Sequence, residues 1–357
     1  KYIKRMDMFI NSDIAEIATQ IEGAAQKLAG KKILLTGGRG FLGTYFIETI
    51  DYLNKNVLSE AVQMVVLDNL VTTVGKKPKF VERENIQFIE HDVIQPFDWK
   101  DDLDYIIHAA GIASPFYYRA FPLETLEVAI TGTRNMLELA DQKKARLSFF
   151  SSSEIYGDPD PKHVPMAESY RGNVSTTGPR ACYDESKRVG ETLCYIFHTN
   201  HGTETNIIRP FNVYGPGMKE TDYRVLPNFA SRIKAGQPLN VYGTGVQTRT
   251  FCYITDAITG FLLTILNGVP GEAYNIGNPE PEISMIDLVK TIQQVSANDV
   301  TYNLMEYPDS YPGDEPMRRC PDIKKARLQL GFDPSVTLED GLKRFLDWAD
   351  PIYTGKQ

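Results

Sequence analysis

Tyr183 and Lys187 stand four residues apart in the run Ala181-Cys182-Tyr183-Asp184-Glu185-Ser186-Lys187-Arg188. On a helix that spacing puts both side chains on one face, one turn apart. A phenol with a pKa near 10 is a poor base at neutral pH. An ammonium group beside it favours the phenolate and lowers that pKa. Upstream, the apolar strand of Leu147, Phe149 and Phe150 runs into Ser151, Ser152, Ser153 and Glu154. A serine hydroxyl from that strand end can share the tyrosine's proton. Ser152, Tyr183 and Lys187 together make a base that removes a proton from an alcohol while a hydride leaves the same carbon. A Tyr-x-x-x-Lys pair also occurs on any exposed helix face, so this reading needs a hydride acceptor's site elsewhere in the chain.

Such a site is written near the beginning. The short apolar strand Lys32-Ile33-Leu34-Leu35-Thr36 is followed by Gly37-Gly38-Arg39-Gly40-Phe41-Leu42-Gly43 and then by an amphipathic helix to about Leu53. Met64-Val65-Val66-Leu67-Asp68 reads as the next strand, ending in an acid. A glycine run between strand and helix, with an acid at the end of the second strand, is the context of a dinucleotide fingerprint. The glycines let backbone approach a pyrophosphate at the helix N-terminus. Asp68 accepts from a ribose diol and repels a 2′-phosphate, which predicts NAD rather than NADP. Lys76 and Lys77, in the loop that follows, pull weakly the other way.

The elements that position these groups alternate. Further strands are expected at Gln87–Glu90, Tyr105–His108, Arg146–Phe150 and Glu204–Arg209, with helices over about 123–143 and 183–200. Strands alternating with helices predict a Rossmann-type α/β fold, a doubly wound parallel sheet covered on both faces. After Arg209 proline and glycine become frequent, and helices are expected near 225–235, 256–267, 284–296, 322–329 and 338–349, separated by short strands such as Ala273–Ile276. We divide the chain into an N-terminal helical extension (1–30), a dinucleotide-binding domain (31–209, with 240–268 returning to it) and a smaller C-terminal α/β substrate-binding lobe (210–239 and 269–350). In the extension, Ile14, Ile17, Ala18, Ile21, Ala25 and Leu28 form a helical stripe, with Asp13 and Glu16 read as a capping box at its start and Gly30 at its end.

A net charge of -8 makes nucleic acid or an anionic membrane an improbable main partner. No apolar run approaches the roughly 20 residues of a membrane span. The first residues lack an apolar core before a small-residue cleavage site, so no secretion signal is expected. Cys182, Cys194, Cys252 and Cys320 are widely spaced and fit no metal site, which suits reduced thiols and a cytoplasmic location. His91 and His108 read as structural residues, with no metal expected.

With these motifs in place, residues 31 to 349 resemble the extended short-chain dehydrogenase/reductase superfamily, and within it the UDP-glucuronic acid decarboxylases. Gly37-Gly38, the Tyr-x-x-x-Lys pair and Arg209-Pro210-Phe211-Asn212-Val213-Tyr214-Gly215-Pro216 are superfamily-wide; Ser153-Glu154-Ile155-Tyr156-Gly157-Asp158-Pro159, Gly178-Pro179-Arg180-Ala181-Cys182-Tyr183-Asp184-Glu185, Gly245–Phe251 and Arg319-Cys320-Pro321-Asp322-Ile323 are more specific. The Asp-Glu pair of the 4,6-dehydratases is absent, since Ser153 and Glu154 follow Ser152.

The resemblance implies that Tyr183 is the base on the sugar 4-hydroxyl, with Lys187 lowering its pKa and holding the nicotinamide ribose. Ser152 stands where the family usually has threonine. Glu154 and Arg319 are implied to face the substrate's carboxylate and C5. Ser153, Asn212, Arg224, Tyr242 and Arg249 are implied to bind the nucleotide sugar, with Arg249 a fork donor for its diphosphate. Gly37, Gly40, Phe41, Leu42, Gly43, Asp68, Asn69, Asp92, Val93 and Ala109 are implied to hold NAD, with Asp92 at the adenine. The family also implies a homodimer, built on the helices around 123–143 and 183–200 with Met136, Leu137, Leu139, Val189, Leu193, Ile196 and Phe197. Ala129 departs from the family's usual asparagine, and Cys320 from a common basic residue. Ala110-Gly111-Ile112-Ala113 departs from its usual Ser-Pro-containing run. The nearest alternative is a 4-epimerase or 4,6-dehydratase of the same superfamily. One of a different class is a redox-sensing protein that holds NAD without turnover, against which the retention of Ser152, Tyr183 and Lys187 argues.

Overall fold

The computed structural model describes residues 2–71, 83–307 and 316–356, with side chains from Ile10 onward in the first helix. Lys76 and Lys77 lie outside the described residues. Helix α1 (Tyr2–Gln20) leads through a short turn to β1 (Lys32–Thr36), α2 (Phe41–Asn56), β2 (Gln63–Asp68), β3 (Ile86–Glu90) and β4 (Tyr105–His108). Then come α3 (Thr133–Lys143), β5 (Arg146–Phe150), α4 (Ala181–His201), β6 (Thr205–Pro210), α5 (Ile254–Asn267), β7 (Ala273–Ile276) and, near the end, α6 (Leu338–Ala349).

The seven strands form one sheet in the order β7-β6-β5-β4-β1-β2-β3, and every pairing in it is parallel. Successive side chains of a strand point to opposite faces, and the apolar runs use both. Ile33, Leu35, Met64 and Val66 face a core shared with α1, α2 and α5. Leu34, Val65, Leu67, Ile106 and Leu147 face the other core, beneath Met136, Leu137, Leu139 and Ala140 of α3 and Cys194 and Phe197 of α4. This is the doubly wound arrangement expected from the alternation of strands and helices. Because the chain reverses direction across the sheet at β1 and β4, a crevice opens beyond the carboxyl ends of the central strands.

The structure corrects four details of the sequence reading. Ala273–Ile276 does not belong to the smaller lobe: it is β7, parallel to β6 at the edge of the large sheet. The helix expected over 123–143 is found from Pro122 to Lys143, but it is not a regular α-helix throughout: a π-helical turn, Val128–Gly132, lies between Pro122–Glu127 and α3, and a separate short helix, Pro115–Ala120, precedes it. Ala129 is buried inside that π turn. Met136, Leu137, Leu139 and Phe197 cover the chain's own sheet. What α4 and the π turn leave exposed is Tyr195, Ile196 and Ile130.

The fourth correction is Asp13. It caps nothing, because α1 begins eleven residues earlier and its amides are already bonded within the helix. Asp13 is instead 1% exposed, under the helix. It accepts hydrogen bonds from Tyr45 at 2.8 Å and from Tyr253 at 3.1 and 3.2 Å, with Arg344 at 3.9 Å. Burial outweighs these partners and raises its pKa to about 7.

Candidate active site

A cleft of about 940 Å³ lies at the carboxyl end of the sheet. Its wall runs from the glycine loop, past the end of β5 and the start of α4, to Asn212 and Arg224 of the smaller lobe and to Tyr242 and Arg249 of the returning segment.

At the glycine loop the backbone is closely stacked. Gly37 has φ +74°, and a Cβ there would lie 2.8 Å from the Ala109 carbonyl oxygen. A Cβ on Gly43 would lie 2.4 Å from the Gly37 carbonyl oxygen. Only glycine leaves the first turn of α2 bare enough for a phosphate to reach its amides. Asp68 at the end of β2 accepts from the backbone amides of Arg39 and Leu70, both at 2.8 Å, so it also pins this loop. Asp92 accepts from the Asn69 amide at 3.1 Å and from the Ile94 backbone at 3.1 Å. The Val93 carbonyl accepts from Asn135 at 2.9 Å. Gly37, Gly40, Phe41, Leu42, Gly43 and Ala109 line the cleft; Asp68, Asn69, Asp92 and Val93 are not among its lining residues. A bare cradle at a helix start with an acid on the neighbouring strand fits a dinucleotide.

His108 is buried beneath this floor, within 2.8 Å of the Thr36 hydroxyl and 3.1 Å of that of Thr133. Burial first, and then the charge of Lys187, push its pKa down to about 3. It is a neutral structural link between β1, β4 and α3, as its sequence context suggested.

Beyond β5, Ser152 opens a short helical turn, its hydroxyl accepting from the Glu154 amide at 3.2 Å. Ser152 faces the Tyr183 phenol and acts to lower its pKa. Tyr118 stacks on the Tyr183 ring at 5.2 Å with 13° between the planes. Lys187 donates to the Phe150 carbonyl at 2.8 Å and lies 5.8 Å from the centre of the Tyr183 ring. Here the expected lowering of the phenol's pKa is not found. Burial pushes Tyr183 up to about 12, with Ser152 opposing it. Burial lowers Lys187 to about 8, with Glu191 opposing. The lysine is spent on a carbonyl, so its charge reaches the ring rather than the hydroxyl. Glu191 in turn takes Arg209 through bonds of 2.9 and 2.6 Å and Ser151 at 2.5 Å, bracing α4 against β5 and β6.

Glu154 lies between two arginines. Arg319, 1% exposed, meets it at 2.6 Å and donates to Ser153 at 3.2 Å and to the Gly157 carbonyl at 3.3 Å. Arg180 meets it from the other side, with Asp184 3.6 Å away. Burial alone would raise the Glu154 carboxyl; Arg319 and Arg180 outweigh it and hold the pKa below the ordinary carboxylate range. Asp184, buried and beside Glu154, is pushed upward.

Glu154, Arg180, Ser152, Ser153, Tyr183 and Lys187 line the cleft, and the buried Arg319 is paired with Glu154. Arg180 and Asp184 were not singled out from sequence. Their signal was present, since Arg180 precedes Tyr183 by three residues and so neighbours it on the helix. In the lobe, Asn212 donates to the Thr250 carbonyl at 2.8 Å with φ +41°, and Arg224 is held by Asp222 at 2.5 to 3.0 Å. Arg249 donates to the Thr248 carbonyl at 2.7 Å, and Tyr242 stacks on Tyr307 at 5.7 Å.

A doubly wound sheet with a glycine cradle and a Ser–Tyr–Lys group at its carboxyl end defines a nucleotide-dependent oxidoreductase-type fold. Residues 33–277 match the model of the NAD dependent epimerase/dehydratase family, and the chain belongs to that family. It is 39% identical over 321 residues to UDP-glucuronic acid decarboxylase 1 of Xenopus tropicalis, covering 89% of this chain and 72% of that one. It is 40% identical over 314 residues to UDP-glucuronic acid decarboxylase 6 of Arabidopsis thaliana, covering 87% and 86%. Among solved structures it is similar to UDP-glucuronic acid 4-epimerase from Bacillus cereus, determined with UDP-glucuronic acid and NAD, at a TM-score of 0.73 and 26% identity over 90% of this chain and 100% of that one. Among the described residues no helix is long and apolar enough to cross a membrane.

Proposed function

We propose that this protein is an NAD-dependent decarboxylase that converts UDP-glucuronate to UDP-xylose. The observation that carries the reading is Glu154, held charged between Arg319 and Arg180 in the same cleft wall as Ser152, Tyr183 and Lys187. The likeness to UDP-glucuronic acid decarboxylases over most of the chain supports it.

Gly37, Gly40, Phe41, Leu42, Gly43 and Ala109 would hold NAD, with Asp68 toward the adenosine ribose and Asn69, Asp92 and Val93 toward the adenine. NAD supplies the acceptor of a hydride from the sugar and afterwards its donor. Tyr183, through Ser152, takes the proton from the 4-hydroxyl and later returns it. Lys187 keeps positive charge under the ring. A ketone at C4 is β to the C5 carboxylate, so the bond to the carboxylate carbon breaks with its electron pair entering an enolate. Carbon dioxide leaves and C5 gains a proton. The ionised Glu154 orients a water that gives C5 its proton, and Arg319, paired with Glu154, faces the substrate's carboxylate. Asn212 and Arg224 of the lobe, with Ser153 beyond β5 and Tyr242 and Arg249 of the returning segment, hold the nucleotide sugar. Residues 31–209 with 240–268 form the cofactor-binding domain, and the lobe, less β7, completes the sugar site.

Incubation of the pure protein with UDP-glucuronate, followed by mass measurement of the product, tests the reading. Loss of carbon dioxide is expected. Unchanged mass with inverted C4 would make the protein a 4-epimerase, the activity printed for the Bacillus cereus structure. We also propose a homodimer, supported by the exposed Tyr195, Ile196 and Ile130 on α4 and the π turn. Sedimentation at micromolar concentration would show monomer alone if this is wrong.

A further inference from the structure

Two aromatic rings bridge the walls of the cleft. Phe116 belongs to the short helix Pro115–Ala120, which follows β4 in the cofactor-binding domain. Tyr223 precedes the helix Val225–Lys234 of the smaller lobe. Their rings stack with centres 5.3 Å apart and 19° between the planes, and Tyr117 meets the Phe116 ring edge-on at 5.2 Å. Both Phe116 and Tyr223 line the cleft, yet they are 51% and 53% exposed. A side chain that lines a cleft and keeps half its surface in water stands at the rim. On the reading of the site as a uronate decarboxylase, we propose that Phe116 and Tyr223 form a clasp that closes over the bound nucleotide sugar and retains its 4-keto intermediate until the hydride returns.

Each ring stands on a fixed stem close to the reacting tyrosine. Two residues beyond Phe116, Tyr118 stacks on the Tyr183 ring. The Tyr118 amide donates to the Ser114 carbonyl at 3.0 Å, and its carbonyl accepts from the Cys182 thiol at 3.5 Å. On the other wall, the Asp222 amide donates to the Lys219 carbonyl at 2.9 Å, and the Asp222 carboxylate accepts from the Arg224 amide at 3.2 Å and from its guanidinium. The charge of Arg224 reaches the Tyr183 phenol. The residues flanking the clasp on both walls therefore converge on Tyr183. An aromatic pair favours contact by about two- to tenfold, enough to bias the mouth toward closure and little enough to let a ligand pass.

The reaction needs such a closure after carbon dioxide leaves. The sugar has then lost its own charge, and the 4-keto-pentose must stay in place while the hydride returns to C4. Early escape balances without any co-reactant. The hydride from C4 stays on the nicotinamide, the proton gained at C5 replaces the one lost from O4, and the carboxylate carbon departs as carbon dioxide. The protein is left holding NADH and cannot begin another turnover. Shutting an active site holds back a reactive intermediate and excludes water from it. Phe116 and Tyr223 act here through the time the ligand stays, not through a proton or a charge.

Two measurements test the clasp in Phe116→Ala and in Tyr223→Ala, whose thermal stability should hold because both rings are at the rim. In a single turnover of UDP-glucuronate by excess NAD-loaded protein, mass spectrometry separates UDP-xylose from the keto-pentose, which is two hydrogens lighter. Each variant is expected to raise the share of keto-pentose by about 3- to 10-fold, with an equal amount of NADH left on the protein. Tyr223→Phe keeps the ring and should keep the unsubstituted ratio. In protein carrying Tyr183→Phe to stop turnover, either alanine substitution should speed dissociation of UDP-glucuronate by a similar factor. An unchanged share of keto-pentose, or an unchanged dissociation rate, overturns the proposal. Failure of the underlying reading shows separately: if the unsubstituted protein releases no carbon dioxide, the decarboxylase falls, and the dissociation rate alone decides whether the clasp stands.

Discussion

Two buried carboxylates, Glu154 beyond β5 and Asp13 beneath α1, receive opposite treatment from the same fold. Glu154 is enclosed by Arg319 and Arg180 and is held ionised against the effect of its burial. Asp13 is enclosed by two phenols, with Arg344 only at 3.9 Å, and burial keeps its proton on up to about pH 7. Hydrogen bonds from neutral donors do not compensate a buried charge; fixed cations do. A charge maintained at such cost beside a cleft marks a place where the charge is used. A carboxyl allowed to neutralise, outside the lining of the cleft, joins a helix to the body of the protein.

The sharpest way to test that contrast is to remove the chemistry while leaving both carboxylates. Tyr183→Phe should lower turnover of UDP-glucuronate by about 1,000-fold or more, with no NADH absorbance appearing and with thermal stability preserved. Glu154→Gln should cost about 100-fold in turnover but still allow oxidation, so NADH absorbance should accumulate as carbon dioxide release stalls. Wild-type rates in both variants would break the comparison at its functional end.

Asp13 tests the structural end. Its proton is bound below about pH 7 in the folded chain and only below the ordinary 3.8 in the unfolded one. Its stabilising contribution is therefore full below pH 3.8 and is lost as pH rises toward 7. Between pH 5 and pH 7 the unfolding free energy of the wild type should fall relative to Asp13→Asn by about 2 kcal/mol, read from urea titrations at each pH. A difference that does not change with pH would mean that Asp13 is charged in the folded protein. The smallest effect is expected at the cofactor end. Asp68→Asn should shift relative binding from NAD toward NADP by about tenfold, since its carboxylate would repel a 2′-phosphate. Retained discrimination would assign Asp68 only to pinning the loop through Arg39 and Leu70.

The cofactor half of the site was legible in the sequence because its constraints are local. Gly37 to Gly43 and Asp68 are demanded by backbone geometry within one strand–helix–strand unit, and β4, β5 and β7 were placed at the residues found. The periodicity of 183–200 gave α4 in the same way. The substrate half was less legible because it is assembled from distant segments. Arg319 reaches Glu154 across 165 residues, and the pattern of residues cannot say on which side of the carboxylate it arrives. Asp13 was misread for a related reason. An acid followed by an amphipathic stripe looks like a cap, and its two tyrosine partners come from α2 and from the residue just before α5. Spacing brought Lys187 to the Tyr183 ring but could not show that its ammonium donates to the Phe150 carbonyl.

The position of β7 has a consequence for how the protein is made. The ribosome delivers β1 to β6 before α5 and β7, which follow only after the stretch 211–253 has been synthesised. Until then β6 is an open edge with unpaired backbone amides and carbonyls, and the face later covered by α5 is bare. A chain terminated after Arg209 would contain every residue of the glycine cradle and the Ser–Tyr–Lys group, yet it would end on an edge suited to joining another chain. The first 209 residues are thus a complete vocabulary for binding a dinucleotide but an incomplete folding unit, and expression of that fragment alone should give aggregated protein.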